Sequence, residues 1–185
     1  LPQCLEKGKK LINWDEKKKN YKSQAGNLVR GVGMACFSYF AGTHPVALEA
    51  AGARIVMNQD GSVQLQIGAT EIGQGSDTVF AQMTSEVLGI PIDMVHVISN
   101  QDTDVTPFDT GAYASRQTFV TGAAVKKAAI EVKSKVLQFA SRKNGLNPEV
   151  MDIVECNIVE KTTGIVVCPL EQIALESFYD RIYSC

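Results

Sequence analysis

The sequence predicts an α+β domain, a mixed sheet with helices packed on it. Three observations carry that prediction. Elements read in the order helix, strands, helix, strand, helix, hairpin, helix. A strong hairpin signal sits at Asn58-Gln59-Asp60-Gly61, and two long helical patterns begin at glycine-rich loops. At 185 residues and 45% hydrophobic content the chain suits one soluble domain with a real core.

Residues 2–20 are polar and Lys-rich, with Leu5, Leu11, Ile12 and Trp14 as apolar points, which predicts an amphipathic helix ending in the solvated run Lys17-Lys18-Lys19. A short connection, 26–30, follows, so residues 1–30 form a leading segment and 31–185 the domain proper. Val32 to Phe40 is apolar enough for a buried strand. Ala47 to Met57 and Ser62 to Ile67 flank the Asp-Gly turn, which supplies the positive φ a tight hairpin needs. Val63, Leu65 and Ile67 alternate with Gln64 and Gln66, giving one buried and one polar face. A helix from Val79 to Leu88 carries Val79, Met83 and Val87 on one stripe and stops at Gly89 and Pro91. Met94 to Ile98 reads as a strand, and 100–111 as a polar loop crossing the sheet.

A long helix follows from Ser115 to Asn144, with Val125, Ala128, Val132, Val136 and Phe139 as its apolar stripe and Glu131–Lys135 as a favourable i,i+4 pair. Asn144-Gly145 and Asn147-Pro148 end it. Ile153 to Glu160 and Gly164 to Val167 read as a hairpin, and Leu170 to Phe178 as a terminal helix.

Composition narrows the function. A net charge of −2 without a basic stripe gives no electrostatic case for nucleic acid. No apolar run approaches the roughly 18 residues of a membrane span, and no signal segment opens the chain, so no membrane contact is expected. Five scattered cysteines without a C-x-x-C exclude a cysteine-held zinc or iron–sulfur site and fit thiols in a reducing cytoplasm. Cys36 reads as core. His96, in a strand, reads as a satisfied structural histidine, and nothing pairs His44 with a nucleophile, which disfavours a hydrolase triad. Asp102, Asp104 and Asp109 lack the glycine and terminal Glu of a calcium loop and read as turn and capping residues.

Two small-residue loops remain, Gly68-Ala69-Thr70-Glu71-Ile72-Gly73-Gln74-Gly75 and Gly111-Ala112-Tyr113-Ala114-Ser115-Arg116-Gln117. Each leads into a helix, where free backbone N–H groups suit an anionic group. Their convergence on one concave surface is expected. Neither loop is a dinucleotide fingerprint or a P-loop, and their spacing alone leaves both a ligand cradle and a plain tight turn open. Glu71 is expected to fix its loop by accepting backbone N–H bonds.

The full strings, with Asp102-Thr-Asp-Val-Thr-Pro-Phe-Asp-Thr-Gly-Ala-Tyr-Ala-Ser-Arg-Gln-Thr118, resemble the molybdenum hydroxylase family of xanthine dehydrogenase and aldehyde oxidase. Leu1-Pro-Gln and 30–39 resemble bacterial xanthine dehydrogenase large subunits, and the likeness spans about residues 1 to 168. The resemblance implies part of a molybdenum-cofactor-binding domain. It implies a cofactor of molybdenum and molybdopterin, with or without an added nucleotide, contacted by Ile72, Gly73, Gln74 and Gly75 in the first loop. In the second loop, Ala114, Ser115, Arg116 and Gln117 would clasp the pterin and its phosphate. Gln74 would donate toward the metal's oxygen ligands, and no residue here would bind the metal directly. The implied reaction is hydroxylation of a purine, another N-heterocycle or an aldehyde with water-derived oxygen. The family's base lies in a Gly-x-Gly-Glu motif that this sequence lacks, so no catalytic residue is assigned here and the chain alone is expected to be inactive. Because the family's molybdenum subunit is several times longer and this chain opens on Leu1, a piece of its C-terminal half is expected. Implied partners are the rest of that subunit, 2Fe-2S and FAD domains or subunits, and a small heterocycle. A non-catalytic molybdopterin-binding or assembly module is the alternative.

Overall fold

The computed structural model describes residues 1–43, 45 and 49–183. The chain separates into two units, Leu1–Phe40 and Ala41–Cys185, a division ten residues beyond the expected 30/31 boundary.

In the first unit the leading helix is broken in two. Asn13 adopts a left-handed φ of 50° and separates α1 (Pro2–Leu11) from α2 (Trp14–Asn20), neither of which has a buried residue. Lys18 lies over the Trp14 ring, 5.4 Å from its centroid. The strand expected over Val32 to Phe40 does not form. A strand needs a partner for its backbone groups, and among the described residues of this unit there is none. Cys36, expected in the core, is exposed, as is Phe37.

The second unit holds two three-stranded sheets. In the first, β1 (Ala53–Met57) pairs antiparallel with β2 (Val63–Ile67), and β2 pairs parallel with β3 (Val95–Ile98). The parallel pair requires a crossover, supplied by α3 (Ser76–Leu88). The hairpin turn is where Asp-Gly placed it: Gly61 has φ 82° and Asn58 N–H donates to Ser62 O at 2.8 Å. Val63, Leu65 and Ile67 are fully buried, as their alternation required. His96 faces outward and is exposed, against expectation. The first hairpin strand is shorter than expected. Ala47 and Leu48 lie outside the described residues, and 51–52 instead engage the loop at 108–109, where Gly52 N–H donates to Phe108 O at 2.8 Å.

Both long helices bury more than a single stripe. On α3 the buried face is Phe80, Ala81, Thr84 and Leu88, one residue around from the expected Val79, Met83 and Val87. The reason is α4 (Gln117–Asn144), which packs along α3's flank. A Cβ on Gly122 of α4 would lie 2.9 Å from Met83 Cε, so the glycine leaves room for the end of this flexible side chain between the helices. Helix α4 buries Ala129, Leu137 and Ala140 beside Val125, Val136 and Phe139, being covered on two sides.

The last expected hairpin is a three-stranded meander of β4 (Met151–Val154), β5 (Asn157–Glu160) and β6 (Val166–Pro169), leading into α5 (Leu170–Tyr183). The stretch expected as one strand is itself a hairpin. Its two turn residues, Glu155 and Cys156, take φ 45° and 61°, the geometry of a primed turn that Asn-Gly or Asp-Gly normally announces. Without either pair the turn left no sequence signal. Gly89, which ends α3 with φ 71°, accepts from Cys156 N–H at 3.2 Å and thereby ties the two sheets together.

A Cβ on Gly89 would lie 1.9 Å from Ile153 O. Gly89→Ala is therefore expected to destabilise the chain by more than about 2 kcal/mol, combining the left-handed backbone penalty with a backbone clash. Urea denaturation checks this; a loss below about 0.5 kcal/mol would contradict the geometry.

Candidate functional site

The two glycine-bearing loops converge. Gln117, the first residue of α4, donates from Nε2 to Thr70 O at 3.0 Å, and its Oε1 accepts from Gln74 Nε2. Gln74 Nε2 also donates to Thr70 O at 3.1 Å, while Gln74 Oε1 accepts from Ile72 N–H at 2.7 Å. The two loops are thus held within hydrogen-bond distance by two side-chain amides.

The first loop is organised by Glu71. One carboxylate oxygen accepts from Gly73 N–H at 2.6 Å and Gly75 N–H at 3.0 Å; the other accepts from Ser76 Oγ at 3.1 Å and Asp77 N–H at 3.2 Å. The Gly75 N–H bond, followed by those from Asp77 and Gly73, holds the Glu71 pKa down at about 2. Glu71 fixes the loop, as expected. It also corrects one expectation: α3's N-terminus is not free for an external anion, because this carboxylate already sits there.

The second loop rests on Arg116, whose side chain is fully buried. Its Nε donates to Glu49 Oε2 at 2.9 Å, one terminal nitrogen donates to Asp109 Oδ1 at 2.6 Å and Gly111 O at 3.0 Å, and the other donates to Ala50 O at 2.7 Å. Asp109, also fully buried in its side chain, accepts from Thr121 Oγ1 at 2.6 Å and from Gly111 N–H at 2.8 Å. Glu49 accepts from Thr43 Oγ1 at 2.6 Å, and that bond, with Arg116 second, holds its pKa below the usual range. Burial opposes the Arg116 charge, yet the Glu49 and Asp109 bonds outweigh it and its pKa is raised. Arg116 was expected to clasp a ligand. Its guanidinium is instead committed inward, because a buried cation needs every partner it can find. Asp109 proves to be an ion-pair partner more than a turn residue, whereas Asp102 accepts from Asp104 N–H at 2.9 Å as turn chemistry requires.

The N–H groups of Ile72, Gly73 and Gly75 are engaged within the first loop. Ala114, buried and with its carbonyl accepting from Gly42 N–H at 2.5 Å, and Ser115 adopt φ 48° and 50° just before α4. Ser115, Ile72, Gly73 and Gln74 are exposed. A Cβ at Gly73 or Gly75 would meet nothing within 4 Å. The side chain of Arg116, which precedes α4, makes no cap bond to that helix, whose first N–H groups, as in any helix, have no intrahelical acceptor. An exposed loop surface at 72–74, the exposed Gln74 amide and the adjacent start of α4 together fit a flat heterocycle bearing an anionic tail. Among the described residues no cluster of three His, Cys, Asp or Glu side chains could hold a metal ion by itself. His44 lies outside the described residues. An apolar cleft of about 780 Å³ lies elsewhere, lined by Ile55, Met57, Val136, Phe139 and Phe178, and none of its lining residues belongs to either loop. No described helix is long and apolar enough to cross a membrane.

The signature of the molybdopterin cofactor-binding domain matches residues 7–183, and the chain belongs to that family. It is 47% identical over 180 residues to the xanthine dehydrogenase molybdenum-binding subunit of Escherichia coli O157:H7, covering 97% of this chain and 24% of that subunit. It is 33% identical over 120 residues to the carbon monoxide dehydrogenase large chain of Afipia carboxidovorans, covering 61% of this chain and 15% of that one. The chain thus spans about a quarter or less of the curated relatives it matches. Among solved structures, a Cu,Mo-CO dehydrogenase superposes with a TM-score of 0.63 at 28% identity, covering 70% of this chain and 16% of that one. Quinoline 2-oxidoreductase from Pseudomonas putida 86 superposes with a TM-score of 0.65 at 21% identity, covering 73% and 17%, and shows the shared fold.

Two predictions follow from the loop chemistry. Arg116→Met is expected to cost about 3–5 kcal/mol, because it leaves the Glu49 and Asp109 carboxylates without their shared cation; chemical denaturation measures it. For Glu71 the folded pKa of about 2 lies below the ordinary 4.5, so its contribution is present above pH 4.5 and lost as pH falls toward 2. The stability gap between wild type and Glu71→Gln should therefore close across that window, and a gap that stays constant would contradict the assignment.

Proposed function

We propose that this chain is the part of a molybdenum-dependent hydroxylase subunit that clasps the molybdopterin cofactor between its two loops. The observation that carries this reading is the Thr70–Gln74–Gln117 junction beside the uncapped start of α4, in a chain of the molybdopterin-binding family. Ile72, Gly73 and Gly75, whose N–H groups are held within the loop, offer the pterin a surface to lie against, Gln74 offers an amide toward the oxygen ligands of the metal, and Ser115 and the first turn of α4 hold the phosphate side, with buried Ala114 supporting them. Arg116 serves through the loop it supports. When bound, the cofactor supplies the redox and oxygen-transfer chemistry, while the chain supplies orientation and neutral hydrogen bonds. An amide suits this place because it donates without changing the charge of the site.

By likeness to the xanthine dehydrogenase subunit, the substrate of the whole protein is a purine or related N-heterocycle or aldehyde carbon. Its base glutamate, 2Fe-2S centres and FAD lie on other domains or subunits, in the cytoplasm. The lack of a Gly-x-Gly-Glu motif in this sequence favours a second reading, a module that carries the cofactor without hydroxylating. Molybdenum and pterin content, assayed beside xanthine and hypoxanthine turnover of the subunit that contains this chain, separates the two. Cofactor with turnover supports the first reading, cofactor without turnover the second, and no cofactor removes both.

In that subunit, Gln74→Ala is expected to lower turnover per molybdenum about 10²- to 10³-fold, as loss of a positioned donor at a reacting centre does, while cofactor content falls little. Ser115→Trp is expected to lower activity and molybdenum in proportion, by bulk. Full activity per molybdenum in the Gln74 variant would remove its side chain from the reacting centre.

A further inference from the structure

Every hydrogen on the Gln74 amide already has a partner. Nε2 donates to Thr70 O at 3.1 Å and to Gln117 Oε1, and Oε1 accepts from Ile72 N–H at 2.7 Å. Turning the amide over would set Nε2 against the Ile72 N–H and Oε1 against two acceptors, so its orientation is fixed by its neighbours. An incoming acceptor can be met only by exchange. The two possible exchanges differ in cost. Gln117 is 6% exposed, and taking Gln74 away from its Oε1 orphans a buried acceptor. Taking Gln74 away from Thr70 O orphans nothing, because Gln117 Nε2 still donates to that carbonyl at 3.0 Å.

We infer that Gln117 is a positioning residue: it anchors one hydrogen of Gln74 and stands in for Gln74 at Thr70 O, so that the other hydrogen can turn to a ligand. This rests on the proposed role of Gln74 toward the cofactor. It assigns the Gln117 side chain to Gln74 and Thr70 rather than to the cofactor. Among the described residues no other side chain joins Gln74 to the second loop, and the two residues lie 43 apart in sequence.

The test has two arms. In the unliganded chain, amide hydrogen exchange and the side-chain NH₂ signals of Gln74 are followed by NMR in wild type, Gln117→Met and Gln117→Glu. Methionine matches the length of glutamine without donors or acceptors. It should remove one protected Gln74 hydrogen and speed exchange at Ile72 N–H by about tenfold, with α4 core amides from Val125 to Phe139 unchanged. Glutamate keeps the acceptor and should restore Gln74 protection, which a merely structural side chain would not do. Should Gln117→Met fail to fold, retention of Gln74 protection in Gln117→Glu still decides this arm, and its loss overturns the proposal. Wild-type behaviour of Gln74 and Ile72 in Gln117→Met also overturns it.

In the second arm, the subunit containing this chain is purified, and its pterin and molybdenum content and its turnover per molybdenum are measured. Both variants should lower turnover per molybdenum, as Gln74→Ala does, while cofactor content falls little, since neither can donate to Thr70 O and free Gln74. Wild-type turnover per molybdenum in both variants overturns the inference. If Gln74→Ala also leaves content and turnover at wild-type levels, the cofactor reading of Gln74 has failed instead, and the first arm reports on the amide pair independently of it.

Discussion

The buried guanidinium of Arg116 is the constraint on which this arrangement depends. It belongs to the residue that precedes α4, and it bonds to the segment at Glu49 and Ala50 and to the loop at Asp109–Gly111. The Glu49 segment and the loop that leads into α4 come from separate parts of the chain, and among the described residues they share no sheet ladder beyond an isolated bridge between Ala51 and Asp109. Burying a cation is tolerable only if the protein folds to supply its partners, so the charge acts as a specification. Any arrangement that displaced one of the segments would strand it. The left-handed backbone at Ala114 and Ser115 costs free energy in isolation, and it lies next to the residue that is least able to move.

Around this point the helices act as a platform. Helix α3 is fixed at one end by Glu71 and at the other by Gly89 against the second sheet. Helix α4 approaches it at Gly122. Both loops therefore lead into helices that are packed against each other. A surface made of backbone needs such support, because it has few side chains with which to adjust.

Much of the fold could be read from residue patterns, and the failures are instructive. The alternation in β2, the Asp-Gly turn and the Gly89 stop each rest on local chemistry, and each appears where local chemistry placed it. The Glu155–Cys156 turn does not, since its positive φ values are imposed by the strands it joins and not by its residues. The helical stripes were displaced because periodicity shows that a face is apolar but not that two partners cover it. At the site, Glu71 was legible because its partners lie within six residues. Arg116 was not: Glu49 lies 67 residues away, and an arginine in a small-residue loop beside a helix start looks like an anion ligand until its inward partners are visible. The likeness of whole strings located the loops, but the division of labour between side chains pointing in and backbone facing out belongs to tertiary structure.

The carboxylate of Glu71 has a consequence for direction. Two helices start side by side, joined through Gln74 and Gln117, yet they are not electrostatically equivalent. The start of α3 is met by a carboxylate from within, whereas none of the described carboxylates accepts from the first N–H groups of α4. The junction therefore has unlike ends, and its polarity is fixed by one side chain of the loop that leads into it.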